Sequence, residues 1–437
     1  MKNFIILLVL FGVTPIVFSQ NYTSFFSGNT TDTTTTTYGG VCLMGGASED
    51  DNAMIWFLQQ ANEGDVLVLR ASGSDGYNDY MYSDLGVSVN SVETIVFNDS
   101  SAKNESYIHQ KIQQAEAIWL AGGNQWNYVS YWRNSPIDSL INQAITNRDI
   151  VIGGTSAGMA VLGDFYFSAQ NGTVTSSTAL TNPFDNRIVV DSTSFISNDY
   201  LSDVITDTHY DNPDRKGRHI VFLSRILVDY RITAKGIACD EYTAVCIDTN
   251  GIARVYGDYP TYDDNAYFIQ PNCEIINNEP ENCSPGSPLD WNQNELAIKV
   301  YSVKGTTDGS NYFDLNDWES GNGGNWENWY VDNGVFNTQA GNKPNCKTLS
   351  TSPNDESSIF SVYPNPAANR VTISLQLNKY KSNSLVISNA IGQEFERLGL
   401  TGSDEIHLNT EDFPAGLYFI KIMRGGENIL VEKLLIE

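Results

Sequence analysis

From about Gly40 to Ile152 the chain alternates short apolar runs with longer amphipathic stretches, and this rhythm restricts the fold more than any other feature. The runs are Val41–Met44, Val66–Leu69, Thr94–Phe97, Ala117–Leu120 and Ile150–Ile152. Their nearly continuous apolar character fits strands covered on both faces, as in a parallel sheet. Between them, Asp50–Asn62, Tyr107–Glu116 and Pro136–Asn147 read as helices. Strand–helix alternation predicts an α/β layered fold, a mostly parallel sheet with helices on both faces. In such sheets functional groups gather beyond the carboxyl ends of the strands, so the turns after each run are where chemistry is expected.

One of those turns stands out. Ile150–Ile152 leads into Gly154-Thr155-Ser156-Ala157-Gly158, and Ala157–Leu162 reads as the start of a helix. A strand, a sharp Gly-x-Ser-x-Gly turn and a helix form a nucleophile elbow. Small neighbours let strand and helix approach around the serine, and the backbone N–H groups of a helix N-terminus favour a developing oxyanion. The alternative without chemistry is a glycine-rich turn that only packs.

A serine hydroxyl needs a base to become a nucleophile, and the chain has four histidines. His109 falls on a polar amphipathic helix and His407 in the C-terminal region. His209 follows a segment that reads as a strand ending. His219 falls inside a helix expected at Gly217–Val228, where a structural role is the better reading. His209 is therefore the preferred base. An acid must then orient the imidazole. Gly236–Asp248 reads as a hairpin whose turn offers Glu241, with Asp240 as the alternative.

The chain ends frame this centre. Lys2 followed by the apolar run from Phe4 reads as a secretory signal peptide over residues 1–19, too short to span a membrane. The formal net charge of −27 disfavours nucleic acid and anionic membranes, and favours cationic substrates and solubility. Export permits disulfides among Cys42, Cys239, Cys246, Cys273, Cys283 and Cys346. Cys273 with Cys283, and Cys239 with Cys246 across the hairpin, are the expected pairs. No cysteine–histidine spacing suggests a metal site. The tryptophans of 318–330 read as closing a small core, with sugar stacking as the alternative. A strand at Leu296–Val303 extends the catalytic domain, taken as 20–346. Lys347–Ser358 reads as a linker (347–358). Short strands at close spacing over 359–437 then predict a small all-β sandwich.

Two resemblances add to this reading. Val362-Tyr363-Pro364-Asn365-Pro366-Ala367, Pro414-Ala415-Gly416-Leu417-Tyr418 and the terminal Glu432–Ile436 resemble the C-terminal sorting domain of type IX secretion substrates. That implies a secreted or surface-attached protein and the type IX machinery as partner. Leu120-Ala121-Gly122-Gly123-Asn124-Gln125, Gly153–Met159, Asp207–Tyr210, Arg215–Arg218 and Gly236–Ala244, with the opening turn Met44–Ala47, resemble the cyanophycinase and dipeptidase E family of serine peptidases. The resemblance implies a flavodoxin-like sheet related to class I amidotransferases, with Ser156 as nucleophile, His209 as base and Glu241 as acid. It implies backbone N–H groups of Gly123 and Ala157 as the oxyanion hole. Gln125 and Asp207 would line the site for an aspartyl residue of the substrate, Arg215 and Arg218 match the family's substrate-binding pattern, and Arg215 or Lys216 is the expected anchor for an anionic group. Thr208 stands where cyanophycinases carry glutamine, and Pro213 where they carry arginine.

The expected activity is hydrolysis of an aspartyl-arginine isopeptide polymer to dipeptides. An exopeptidase for Asp-containing peptides is the second reading, and a surface binding protein on a disabled hydrolase scaffold the third. The expected partners are a peptide or isopeptide substrate of cationic character and the secretion machinery, with no nucleic acid and no cofactor. Self-association as a homodimer is left open.

Overall fold

A computed structural model of the chain describes residues 20–191, 195–346 and, toward the C-terminus, 360–367, 369–375, 383–389, 393–400, 404–410, 413–424 and 427–436. The signal peptide expected at 1–19 and the linker expected at 347–358 lie outside the described residues.

Strands β1 (Tyr22–Gly28), β2 (Val41–Met44), β3 (Asp65–Arg70), β4 (Ser91–Phe97), β5 (Ala117–Leu120) and β6 (Val151–Thr155) alternate with helices α1 (Asp51–Gln60), α2 (Ser106–Gln114), α3 (Gln125–Trp132) and α4 (Pro136–Arg148). Side chains alternate across each strand. Val41, Leu43, Leu67, Leu69, Ile118 and Leu120 face a core shared with Ile108, Val129 and Ile141 of α2, α3 and α4. Cys42, Met44, Val66, Val68 and Trp119 face the opposite core with Met54 and Phe57 of α1. Both faces are therefore covered, which is why the runs are apolar throughout. Helix α4 starts where the sequence says it should: Ser135 caps it with Asp138 reaching back in a capping box, and Pro136 occupies the first turn.

The remaining elements are β7 (Tyr166–Phe167), α5 (Ser176–Thr181), β8 (Val190–Asp191), β9 (Val204–Asp207), α6 (Lys216–Tyr230), β10 (Lys235–Cys239), β11 (Ala244–Ile247), β12 (Ile252–Tyr256), β13 (Asn265–Pro271), β14 (Ile298–Lys304), β15 (Tyr312–Asp314), β16 (Gly321–Asn322), β17 (Gly324–Asp332) and β18 (Val335–Ala340). The first sheet has the order β1-β4-β3-β5-β6-β2-β11-β12-β15-β16. Its middle, β4 through β2, is parallel. The run β4-β3-β5-β6 follows the flavodoxin-like order, with β2 taking the fifth place. A second sheet, β18-β17-β14-β13-β10-β9, is antiparallel except for the parallel pair β9 and β10. Its one face joins the main core through Ile237, Phe268 and Tyr301. The other packs on α6 through Ile269, Val300 and Trp329. Trp329 is fully buried and Trp318 is 6 % exposed, so these tryptophans close the core.

Among the described residues, seven C-terminal strands form two small antiparallel sheets. One holds Phe360–Tyr363, Arg370–Leu375 and Asp404–Asn409. The other holds Asn383–Asn389, Glu394–Leu400, Gly416–Arg424 and Glu427–Ile436. Val371, Ile373, Leu385, Ile387 and Ile420 form the core between them.

Four local expectations are corrected. Gly236–Asp248 is not a hairpin, because β10 pairs with β9 and β13 while β11 pairs with β2 and β12. The chain passes from the second sheet to the first between Cys239 and Ala244. Cys239 therefore does not face Cys246. The disulfide in the 255–350 region joins Cys273 to Cys346, not to Cys283. Cys283 instead lies 3.6 Å from the Ser224 hydroxyl of α6. After Ser156 the chain makes only a 3-10 turn at Met159–Val161, not a helix.

Candidate active site

Ser156 leaves the carboxyl end of β6 with φ 52°, a left-handed conformation that costs a residue with a Cβ roughly 1 kcal/mol. Gly158 N–H donating to Thr155 O (2.8 Å) and Ala160 N–H donating to Ser156 O (2.9 Å) close the turn. A Cβ on Gly158 would overlap the Leu120 carbonyl of β5, so only glycine lets the turn pack there.

His209 follows β9 and Glu241 follows β10, so both come from the second sheet. His209 Nε2 lies 2.8 Å from Ser156 Oγ, and His209 Nδ1 lies 2.6 Å from Glu241 Oε1. A carboxylate can only accept, so Nδ1 carries the ring proton and Nε2 accepts from the serine hydroxyl. That is the tautomer a general base requires. The His209 and Glu241 side chains are 22 % and 17 % exposed, open enough for a substrate and dry enough to strengthen their bond. The His209 hydrogen bond holds the Glu241 carboxyl below the ordinary range, and Asn212 adds to this. Asn212 Nδ2 donates to Glu241 Oε2 at 3.3 Å, and Asp211 Oδ1 accepts from Glu241 N–H at 3.0 Å.

Asp240 points elsewhere. Its Oδ2 accepts from Asn265 N–H at 2.8 Å and from the Tyr267 hydroxyl at 3.4 Å. Burial pushes its carboxyl up to about 6. Of the two acids left open by the sequence, Glu241 is the one that touches His209.

One turn organises these residues. Met44 O accepts from Ser156 N–H (3.1 Å), Gly45 O from His209 N–H (2.8 Å) and Gly46 O from Tyr242 N–H (3.1 Å). Three consecutive carbonyls at the end of β2 thus hold the serine, the histidine and the residue after the glutamate. His209 and Tyr242 also have positive φ, at 45° and 59°. A Cβ on Gly46 would run into His209 at Nε2, so this glycine leaves room for the imidazole.

The Gly122–Gly123 turn after β5 lies beside the serine, since a Cβ on Gly122 would sit 3.7 Å from Ser156 Cβ. The Tyr128 hydroxyl donates to Ala121 O at 2.8 Å and Gly122 O at 3.1 Å, pinning this turn. Gly122 therefore lies beside Ser156 across from Ala157, with Gly123 next in the same turn.

The residues expected to line the substrate site are arranged differently from one another. Gln125, first in α3, donates from Nε2 to Phe167 O at 2.7 Å. Asp207 and Arg218 are spent on each other: Arg218 Nε and Nη2 donate to the two carboxylate oxygens at 2.8 and 2.5 Å, and both side chains are 4 % exposed. Burial pushes the Asp207 carboxyl up, but Arg218 outweighs this and holds it below the ordinary range. Arg215 is half-buried and donates from Nη1 to Thr208 O at 2.9 Å. Burial first, then Arg218, lowers its guanidinium, while Asp207 and Glu241 act in the opposite sense.

The sequence reading missed Asp211 and Asn212. An Asp-Asn pair before proline looks like any polar turn, and no spacing in the chain marks it as support for a glutamate thirty residues on.

Two regions of the chain are similar to known protein families. Residues 72–255 match peptidase family S51, and residues 361–437 match the secretion system C-terminal sorting domain. A cyanophycinase of Synechococcus elongatus is 25% identical over 181 residues, 41% of this chain and 50% of that protein. A cyanophycinase of Trichormus variabilis is 24% identical over 166 residues, 38% of this chain and 50% of that protein. The chain spans about half the length of these curated relatives. Among solved structures, a peptidase from an acI-B1 actinobacterium superposes with a TM-score of 0.39 at 14% identity, over 53% of this chain and 91% of that one. The chain carries a domain of peptidase family S51 at residues 72–255 and a secretion-system C-terminal sorting domain at residues 361–437.

Proposed function

We infer that the protein is an exported serine peptidase of the cyanophycinase kind, working through an acyl-enzyme. The observation that carries this reading is the continuous relay from Ser156 Oγ through His209 to Glu241, at 2.8 and 2.6 Å. In the mechanism, Ser156 Oγ attacks a peptide or isopeptide carbonyl carbon while His209 Nε2 takes its proton. Glu241 stabilises the imidazolium without taking the proton. The N–H groups of Gly123 and Ala157 hold the oxyanion. Collapse expels the amine, which receives the proton from His209 and leaves an ester on Ser156. Water then attacks the ester by the same route and regenerates the enzyme.

The leading substrate is an aspartyl-arginine isopeptide of the cyanophycin type. The named relatives and the acidic charge of the chain, which would draw arginine side chains, support it. One observation favours the second reading, an exopeptidase for other Asp-containing peptides. Asp207 and Arg218 are saturated by each other, which leaves Arg215 or Lys216 as the cation for a substrate carboxylate and removes two groups from direct recognition. Export through the type IX route rests on the sorting domain, with residues 1–19 as the signal peptide.

The test is labelling with an active-site phosphonate. The parent protein should be labelled and Ser156→Ala should not. Labelling that persists in the variant would sink the assignment. Release of aspartyl-arginine dipeptide from cyanophycin separates the two substrate readings, and its absence from a probe-reactive enzyme favours the exopeptidase.

A further inference from the structure

Cys42 on β2 and Cys246 on β11 are direct partners across an antiparallel ladder. Their sulfurs are 3.6 Å apart, and the residues are 0 % and 1 % exposed. The ladder phase can be read from a neighbouring bond. Gly45 N–H donates to Thr243 O, so Gly45 and Thr243 form a hydrogen-bonded pair. Pairs alternate along an antiparallel ladder. Met44 with Ala244 is then a non-hydrogen-bonded pair, Leu43 with Val245 hydrogen-bonded, and Cys42 with Cys246 non-hydrogen-bonded. Such pairs bring Cα atoms to about 4.5 Å and side chains closest together, within the roughly 4.4–6.8 Å span a disulfide accepts.

We propose that Cys42 and Cys246 close a second, cross-strand disulfide in the exported protein. The sorting domain takes the chain out of the reducing cytosol, and Cys273–Cys346 is already a disulfide. Cys239, the other buried cysteine nearby, belongs to the second sheet and directs its thiol toward Leu43 O at 3.7 Å, so it is not the natural partner of either. The oxidant is a disulfide donor, either a thiol–disulfide oxidoreductase or a small-molecule disulfide. One cysteine thiolate attacks a donor sulfur and expels a donor thiolate. The second cysteine thiolate attacks the protein sulfur of the mixed disulfide and expels the other donor thiolate. Two protein thiols become one cystine, the donor disulfide becomes two thiols, and the two protons end on the donor. Because both sulfurs are sealed in the core, exchange belongs to folding, before α1 covers this face of the sheet. The finished bond is then shielded from reductants.

The bond would sit two residues before Met44, at the base of the turn whose carbonyls hold Ser156, His209 and Tyr242. It fixes β2 to β11, and so fixes the strand that sets the positions of those residues. The consequence for activity rests on the proposed function; the bond itself rests only on export.

The experiment is a peptide map of the full exported chain, alkylated under denaturing conditions and digested without reduction. A peptide joining Cys42 to Cys246 supports the proposal. Alkylated Cys42 and Cys246, or either one joined to Cys239 or Cys283, overturns it. A second measurement uses Cys273→Ala/Cys346→Ala, so that the other known disulfide is removed. After refolding in a glutathione redox buffer, this chain should unfold in urea roughly tenfold more slowly than after refolding in excess thiol. Equal rates overturn the staple. Should the variant fail to fold, the map of the parent chain decides alone.

Discussion

At the scale of single residues, adjacent acids do opposite things. Glu241 meets His209 at the surface of the site, while Asp240 is buried against Asn265 and Tyr267. Glu241→Gln should keep the fold and reduce turnover by roughly 10²–10⁴-fold, read as the rate of phosphonate labelling. A loss of less than tenfold would remove Glu241 from the relay. Asp240→Asn should leave labelling within a few-fold and change the response of stability to pH. Burial raises the Asp240 carboxyl to about 6 in the fold, above its value in the unfolded chain. The folded state therefore binds the proton more tightly, and stability falls as pH rises between about 4 and 6. The variant should flatten that slope and gain about 1–3 kcal/mol at neutral pH relative to acid. Urea midpoints at about pH 4 and pH 7 check this, and an unchanged slope would contradict it. The sequence left these two acids undecided because a dipeptide carries no sign of which side chain turns inward. Here the exit from β10 decides it: the strand ends at Cys239, and the turn to β11 gives the two carboxylates different partners. The serine and histidine were legible because a Gly-x-Ser-x-Gly turn follows an apolar run, and four histidines leave few choices.

At the scale of elements, strands declared themselves and their partners did not. Val41–Met44 and Ala117–Leu120 occur as read, because both faces are covered and every position is apolar. Gly236–Asp248 looked like a hairpin because two short strands separated by a polar turn have the same pattern whether they pair with each other or with distant strands. The step between sheets depends on β2 and β13, far away in sequence. The expected helix after Ser156 shrank to a 3-10 turn because Gly163 and Phe165 lead the chain straight to the second sheet, where Phe165 bridges Ile205. One prediction belongs here. Gly46→Ala places a methyl group against His209 Nε2. It should cut labelling by at least about 100-fold, because a displaced base cannot reach the serine, while circular dichroism shows the same secondary structure. Normal labelling would mean that the end of β2 has slack.

At the scale of the whole molecule, the candidate site lies where two sheets meet, with the serine from one and the histidine and glutamate from the other. Anything that loosens the second sheet should therefore reach the site. The Cys273–Cys346 bond ties the end of β13 to the segment after β18, across 73 residues. Cys273→Ala/Cys346→Ala should lower unfolding free energy by about 2–4 kcal/mol, measured by urea titration; a change below about 0.5 kcal/mol would show the bond to be redundant. The charge of −27 makes a further prediction about encounter. Raising ionic strength from about 0.01 to 0.15 M should raise KM for arginine-bearing substrates and leave neutral ones unchanged. Equal responses would exclude long-range attraction. Composition made the charge legible, but the meeting of the sheets was not, because no local pattern encodes which strands become neighbours. The carbonyls of Met44, Gly45 and Gly46 bear on this last point. Ser156, His209 and Glu241 are spread over more than eighty residues, yet they are gauged against three consecutive peptide units. Transplanting the three side chains onto another scaffold would carry over the reagents and leave the ruler behind. A working graft must bring β2 and its glycines as well, and a single-residue insertion there would miscalibrate the entire constellation at once.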